Sequence, residues 1–220
     1  MSAAHLRISA LTSCTGQKVA TAVAVPAERL YCGQQHVRLM RGVEVARSAG
    51  HEVAVAVVSA EHGLLGGDGL VAPYERTFQG MPAAERRRLA RELGIPAAIG
   101  ALLAEPADLR LVLLGGDYLD ACELTADAVL GAPTLALCGA GTALRLPVLA
   151  GLRPLVLHER DTRRFACGLV GLKGEVAGRL LALLAERPDA LADLLVDDAA
   201  DPLERLVPVP RRRPAKATRF

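Results

Sequence analysis

The chain has 220 residues, 51% of them hydrophobic and 23% charged, with a mean hydropathy of +0.28. That is enough apolar material for one buried core, and too much for a disordered chain. No apolar run reaches the roughly 18 residues of a membrane span. The five cysteines are odd in number and contain no C-x-x-C pair, so neither a disulfide framework nor a structural zinc site is expected.

The chain opens directly on a strand-like run (MSAAHLRISALTSC) without a basic segment followed by an apolar one. A secretory signal is therefore not expected, and the sequence reads as cytoplasmic and free of the membrane. Strand patterns fall at 6–11, 53–58, 109–114, 134–137 and 155–157. The strongest are apolar on both faces, as central parallel strands are. Helical patterns lie between them at 27–49, 82–104, 118–130 and 142–150, with another at 173–186 and a short one begun by Pro188. Pro82 is a good first-turn residue, and the ERRR cluster at 85–88 reads as a solvated helix face. The alternation predicts an α/β fold: three layers, a mostly parallel sheet, and helices on both faces.

The chain ends differently. Residues 207–220 (VPVPRRRPAKATRF) hold four Arg, one Lys and no acid, whereas the preceding 206 residues carry 21 basic and 24 acidic side chains. The expectation is one domain over 1–206 and a flexible basic tail over 207–220. Arg211, Arg212 and Arg213 are candidates for nucleic-acid phosphate contacts; otherwise the tail is solvated or pairs with the acidic stretch 186–204.

Ligands of open parallel sheets bind beyond the carboxyl ends of the strands. The loops there read SCTGQK (13–18), SAEHGLLGGDGLVAPYE (59–75), GGDYL (115–119) and CGAGT (138–142). The chain has no Trp and only three Tyr, yet Tyr31, Tyr74 and Tyr118 all fall in or near these loops. They form either a platform for a flat ligand or rings that tie loops down through their hydroxyls. Only three of the 26 basic residues are Lys, so Lys18 beside Ser13, Cys14 and Thr15 stands out as an anion-holding set. The Walker A spacing is absent. Cys14 is a candidate nucleophile if Lys18 or a helix end lowers its pKa, and otherwise a small buried hydrophobe.

The second loop offers Glu61, His62, Gly63, Asp68 and Glu75, carboxylates beside His and Tyr that suit acid–base work. No metal-ligand spacing accompanies His62. Asp117 would stabilise a cationic sugar-like transition state or hold a hydroxyl, unless it caps the helix that follows. CGAGT lacks the acidic partner of a dinucleotide site, so no cofactor is expected. No G-x-S-x-G elbow is present. The segment 168–186, GLVGLKGEVAGRLL onward, has the outline of a helix-hairpin-helix with Lys173 at its second glycine position, or else of a loop-to-helix junction.

In their order these motifs resemble the peroxide-stress YaaA-type family and its short bacterial and phage relatives of unknown function. The resemblance spans residues 6–125, through Cys14 and Lys18, Leu30 and Tyr31, Ser59 with His62–Leu65, Pro73–Glu75, and Asp117 with Tyr118, with an echo at 173–177. It implies an α/β fold, DNA binding in a stress response, and a distant similarity to the base-exchange and glycosylase-like domains of deazapurine tRNA modification. Three readings follow. The first is an enzyme acting on a nucleoside, nucleotide or nucleic-acid base, at the N-glycosidic bond. Its catalytic candidates are Lys18, Asp117, Glu75 and Cys14; Ser13, Tyr31, His62, Gly63, Tyr74 and Tyr118 are the candidates for binding. The second is a non-catalytic nucleic-acid-binding protein using Lys173 and the basic tail. The third is a Cys14-dependent enzyme on an unrelated metabolite. The expected partner is a nucleotide-like molecule or nucleic acid; the oligomeric state is left open.

Overall fold

The computed structural model describes residues 5–195 together with Leu203 and Leu206. The tail 207–220, with Arg211, Arg212 and Arg213, lies outside the described residues. The elements run β1 (Arg7–Ser13), β2 (Val25–Pro26), α1 (Ala27–Leu30), α2 (Gln34–Ser48), β3 (Glu52–Ser59), β4 (Gly63–Gly66) and β5 (Leu70–Val71). Then come α3 (Ala83–Glu92), α4 (Ile95–Ala104), β6 (Leu109–Val112), α5 (Gly116–Cys122), β7 (Thr134–Cys138), α6 (Ala140–Ala143), β8 (Leu152–Val156), α7 (Asp161–Phe165), α8 (Leu169–Glu186) and α9 (Ala190–Leu195).

The expected α/β architecture is present. Six strands form a sheet in the order β4-β3-β1-β6-β7-β8, and all neighbours are parallel except the β3–β4 pair. The central strands are apolar on both faces because helices cover both: five consecutive residues of β1, and all of β6 and β7, are buried. Helices α2 and α8 pack together in one layer, and α3, α4 and α5 in the other. The chain leaves β1 toward β3 on one side and later returns on the other as β6. The order therefore reverses at the β1–β6 boundary, which opens a crevice beyond their carboxyl ends.

Several boundaries differ from the sequence expectation, each for a local reason. The 27–49 pattern is two helices, since Tyr31 is extended (φ −83°, ψ 129°) and pairs across to Lys18. The 82–104 pattern breaks at Gly94, whose φ of +66° ends α3 while Pro96 opens α4. The 118–130 and 142–150 patterns shrink to the short helices α5 and α6. Strand β4 lies inside what reads as a loop; Gly63, at φ +76°, turns the chain back so that Ser59 faces it in the ladder.

Of the two readings of 168–186, the hairpin is not there and the junction into a helix is. Residues Leu169–Glu186 form one uninterrupted helix. Its glycines serve close packing: a Cβ at Gly178 would stand 2.6 Å from the Arg38 carbonyl oxygen, and one at Gly174 would overlap that of Gln35. Gly42 of α2 meets Gly178 directly. This seam brings α8 onto α2 at backbone contact and fixes what the first turns of both helices present to the crevice.

Candidate active site

A cleft of about 620 Å³ occupies the crevice. Its walls come from the β1 loop (13–17), the start of α2 (33–35), the β6 loop with the first turn of α5 (115–118), Val170 and Lys173 of α8, and Thr77 and Gln79 from the segment between β5 and α3. Helices α2, α5 and α8 begin here behind Gly33, Gly115 and Gly168, and none has a side-chain cap. Their first amide groups are thus not consumed by a capping side chain.

Two side chains plug into the end of β6. Gln35 Nε2 donates to Thr12 Oγ1 and to the Leu113 carbonyl oxygen, both at 3.1 Å. A carbonyl only accepts, so the amide nitrogen faces the sheet and Oε1 is left as an acceptor. Lys173 Nζ donates to the next carbonyl, that of Leu114, at 2.7 Å. Among the described residues no carboxylate pairs with it, and burial pushes its pKa down. Among the described residues Lys173 is the one cation lining the cleft, and Asp117 the one carboxylate.

Asp117 is not the helix cap, a position held by Gly115. Its Oδ1 accepts from Arg86 Nη1 at 2.9 Å and its Oδ2 from the Gly80 amide at 3.3 Å. The Arg86 guanidinium is buried; it also donates through Nε and Nη2 to Asp120 at 3.0 and 2.8 Å, and through Nη1 to the Met81 carbonyl oxygen at 2.8 Å. With every arm of that fork engaged, the Asp117 carboxylate is held while 39% of its side chain remains exposed at the cleft. Cys14, a free thiol, has its Sγ 2.9 Å from Tyr118 Oη, which is 3.1 Å from Thr77 Oγ1. Burial, reinforced by Cys14, raises the Tyr118 pKa, so the phenol keeps its proton.

A second group adjoins the first. Ser59 Oγ donates to Tyr74 Oη at 2.8 Å, and Tyr74 Oη lies 2.8 Å from Tyr31 Oη. The Lys18 ammonium stands 4.4 Å above the Tyr74 ring, and exposed His62 meets the edge of that ring at 5.0 Å. Burial pushes the Tyr31 phenol up to about 12 and that of Tyr74 higher still.

The geometry sorts the expected residues. Ser13, Cys14, Asp117 and Tyr118 line the cleft together. Lys18 and Glu75 line a separate depression that shares only Gly16 and Gln17 with it, so Lys18 does not line the cleft with Cys14. The tyrosines are not a stacking platform. Tyr31 and Tyr118 are buried, and the hydroxyls tie Tyr31 to Tyr74 and Tyr118 to the β1 loop. Gly63 is structural, since a Cβ there would stand 2.8 Å from the Leu93 carbonyl oxygen. Lys173 is a cleft residue on a continuous helix, not a hairpin contact. Sequence reasoning missed Gln35, Thr77, Gln79 and Arg86, and it singled out Lys173 as a hairpin residue, not as a wall of the cleft.

Among the described residues no cluster of three His, Cys, Asp or Glu side chains could hold a metal ion, and no helix is long and apolar enough to cross a membrane. Residues 10–145 match a family of unknown function (DUF6884). That span carries every wall of the cleft except the one from α8. No curated protein matches the chain.

Proposed function

The chain belongs to the DUF6884 family, and from its cleft we propose an enzyme that hydrolyses or exchanges the N-glycosidic bond of a phosphate-bearing nucleoside. The observation that carries this reading is a charge pattern. A half-buried ammonium with no counter-ion among the described residues, Lys173, shares a cleft with one oriented carboxylate, Asp117. A cation drawn partly out of water with only a neutral partner is destabilised, and a bound anion relieves that cost. The uncapped helix starts favour the same sign of ligand. A nucleotide undergoing C1′–N cleavage supplies both complements: a fixed negative phosphate, and positive charge that develops at the sugar. The cleft volume is in the range of small-molecule sites.

In this scheme Lys173 and the surrounding amides hold the phosphate. Asp117, fixed by Arg86 and the Gly80 amide, faces the oxocarbenium-like centre. The C1′–N bond breaks with its electron pair going to the base, a water oxygen adds to C1′ as Asp117 takes the water proton, and Asp117 then gives that proton up to the departed base, directly or through solvent. Tyr118 and Cys14 complete the polar wall behind the sugar. The order of the strand-end motifs, which resembles that of YaaA-type proteins, supports the same substrate class, and kinship with that family is part of the proposal.

The test is binding and base release with nucleoside monophosphates against their nucleosides. A ligand at a hundred times its Kd stabilises by about 2.7 kcal/mol, which reads as a melting shift. The monophosphates should give that shift and the nucleosides a smaller one. Lys173→Met should abolish the difference. Asp117→Asn should bind normally and lose roughly 10²–10⁴ in turnover. Equal binding of nucleosides and monophosphates, or full turnover in Asp117→Asn, overturns the reading.

A further inference from the structure

We propose a second anion subsite next to the cleft, built on Arg145, that takes another phosphate of the same substrate; the proposal rests on the nucleotide reading above. A groove of about 560 Å³ lies on the far side of α5, lined among others by Arg87, Arg91 and Arg145 with Asp120 and Glu123. Groove and cleft come together where Arg145 of the groove stands beside Gly116 of the cleft. This residue lines the cleft, and a Cβ on it would stand 3.1 Å from Arg145 Nη1. The Arg145 guanidinium therefore stands beside the first residue of α5, where a larger residue at 116 would push it aside.

The acids in this groove are the buried members and the guanidinium groups the exposed ones. Asp120 and Glu123 side chains are 6% and 22% exposed, against 50%, 67% and 57% for Arg87, Arg91 and Arg145. Asp120 is already taken by Arg86 and Arg87, at 2.8 and 2.6 Å, and Arg91 pairs with Glu123 at 2.9 Å. Arg145 is the third cation on Asp120, at 3.7 Å. Its fork is the least committed of the three and the nearest to the cleft. A planar fork presented this way matches a phosphate. With Lys173 in the cleft and Arg145 in the groove beside it, the pair suits a ligand carrying phosphates at both places. Two sources share that chemistry: the distal phosphate of a nucleoside diphosphate, and the next phosphodiester of an oligonucleotide.

The experiment measures Kd by calorimetry on the full chain and its Arg145→Ala and Arg145→Lys variants. The probes are the four common nucleoside 5′-monophosphates, their diphosphates, and 5′-phosphorylated dinucleotides of the same bases. The expected result is that one multiply charged set binds wild type about tenfold or more tighter than the monophosphates. Arg145→Ala should remove that excess and leave the monophosphates unchanged, while Arg145→Lys restores part of it. Whichever set shows the excess names the source. Equal affinity for all probes, or an excess that survives Arg145→Ala, overturns the second subsite and leaves the Lys173 reading standing. Failure of every probe to bind removes the Lys173 reading, and this proposal with it.

Discussion

Replacing Gly178 by alanine tests the helix seam that delivers Lys173 and Gln35 to the cleft. Helix propensity alone favours the change, because alanine is better than glycine in a helix interior by about 1 kcal/mol. The seam opposes it. The new Cβ would stand 2.6 Å from the Arg38 carbonyl oxygen, where ordinary contact begins at 3.4 Å. Backbone cannot swing aside as a side chain does, so α2 and α8 must part by about 0.8 Å, and overpacking of this kind costs roughly 1–3 kcal/mol. Gly100 supplies the control. It lies exposed inside α4 with nothing within 4 Å of its added Cβ, so Gly100→Ala collects the propensity gain without the clash. The two variants should differ by the clash alone, roughly 1–3 kcal/mol, or about 2–12 °C in melting temperature for a chain of this size. Thermal and urea unfolding measured in parallel read this directly, with Gly178→Ala melting lower. Phosphate-ligand affinity should fall in Gly178→Ala and not in Gly100→Ala. If the two variants melt together, the seam is not close-packed and the account of the glycines is wrong.

Three further substitutions probe the site's supports. Burial lowers the Lys173 pKa below its unfolded value, so between the two the unfolded chain binds more protons and stability rises with pH. Lys173→Met should lack that alkaline rise in a comparison of melting temperature against pH; a rise that persists would count against a desolvated ammonium at 173. Arg86→Met should cost about 3–5 kcal/mol, because it strips the buried guanidinium from Asp117 and Asp120. Burial pushes the Asp120 carboxyl up, but Arg87 and Arg86 together outweigh it and hold it below the usual range. The stabilisation is therefore full above the unfolded value and lost as pH falls through the folded one, and Arg86→Met should flatten that acid limb in urea titrations. Tyr74→Phe leaves the Tyr31 hydroxyl without its partner; it should cost about 1–2 kcal/mol without changing ligand affinity, since Tyr74 does not line the cleft. A loss of affinity would merge the two groups into one site.

The strands were legible because their burial is two-sided. A run such as Leu109–Val112 is apolar at every position but one, and even Arg110 is drawn inside, donating to the Leu103 and Glu105 carbonyl oxygens at the end of α4. Strand β4 was not legible. Its GLLG has neither alternation nor length, and its pairing is fixed by the turn at Gly63. The helical period runs on through Gly94 and Tyr31, so sequence patterning overextended two helices that backbone geometry divides. Which loops matter followed from the strand ends, but which side chains in a loop face each other did not. Lys18 follows Gly16 by two residues, yet it stands over Tyr74 instead of beside Cys14.

The glycines of α8 carry the same lesson furthest. Glycine both permits a turn and lets two backbones touch, so G-x-x-G-x-x-x-G at 171–178 fits a hairpin and a helix seam alike. What separates the two is a partner surface more than 130 residues earlier, Gly42 and the Gln35 and Arg38 carbonyl groups of α2. The consequence reaches the chemistry. Cys14, Thr77, Asp117 and Tyr118 all lie inside the 10–145 match, whereas Lys173 lies beyond it. The wall proposed for bond cleavage thus belongs to the family-defining segment, and the proposed anion contact is brought to it from outside by the glycine seam. A chain of this family with another residue at that place on α8 would keep the carboxylate, thiol and hydroxyl wall while losing the charge that selects a phosphate. Lys173→Met and Asp117→Asn should therefore fail in different ways, the first in binding and the second in turnover.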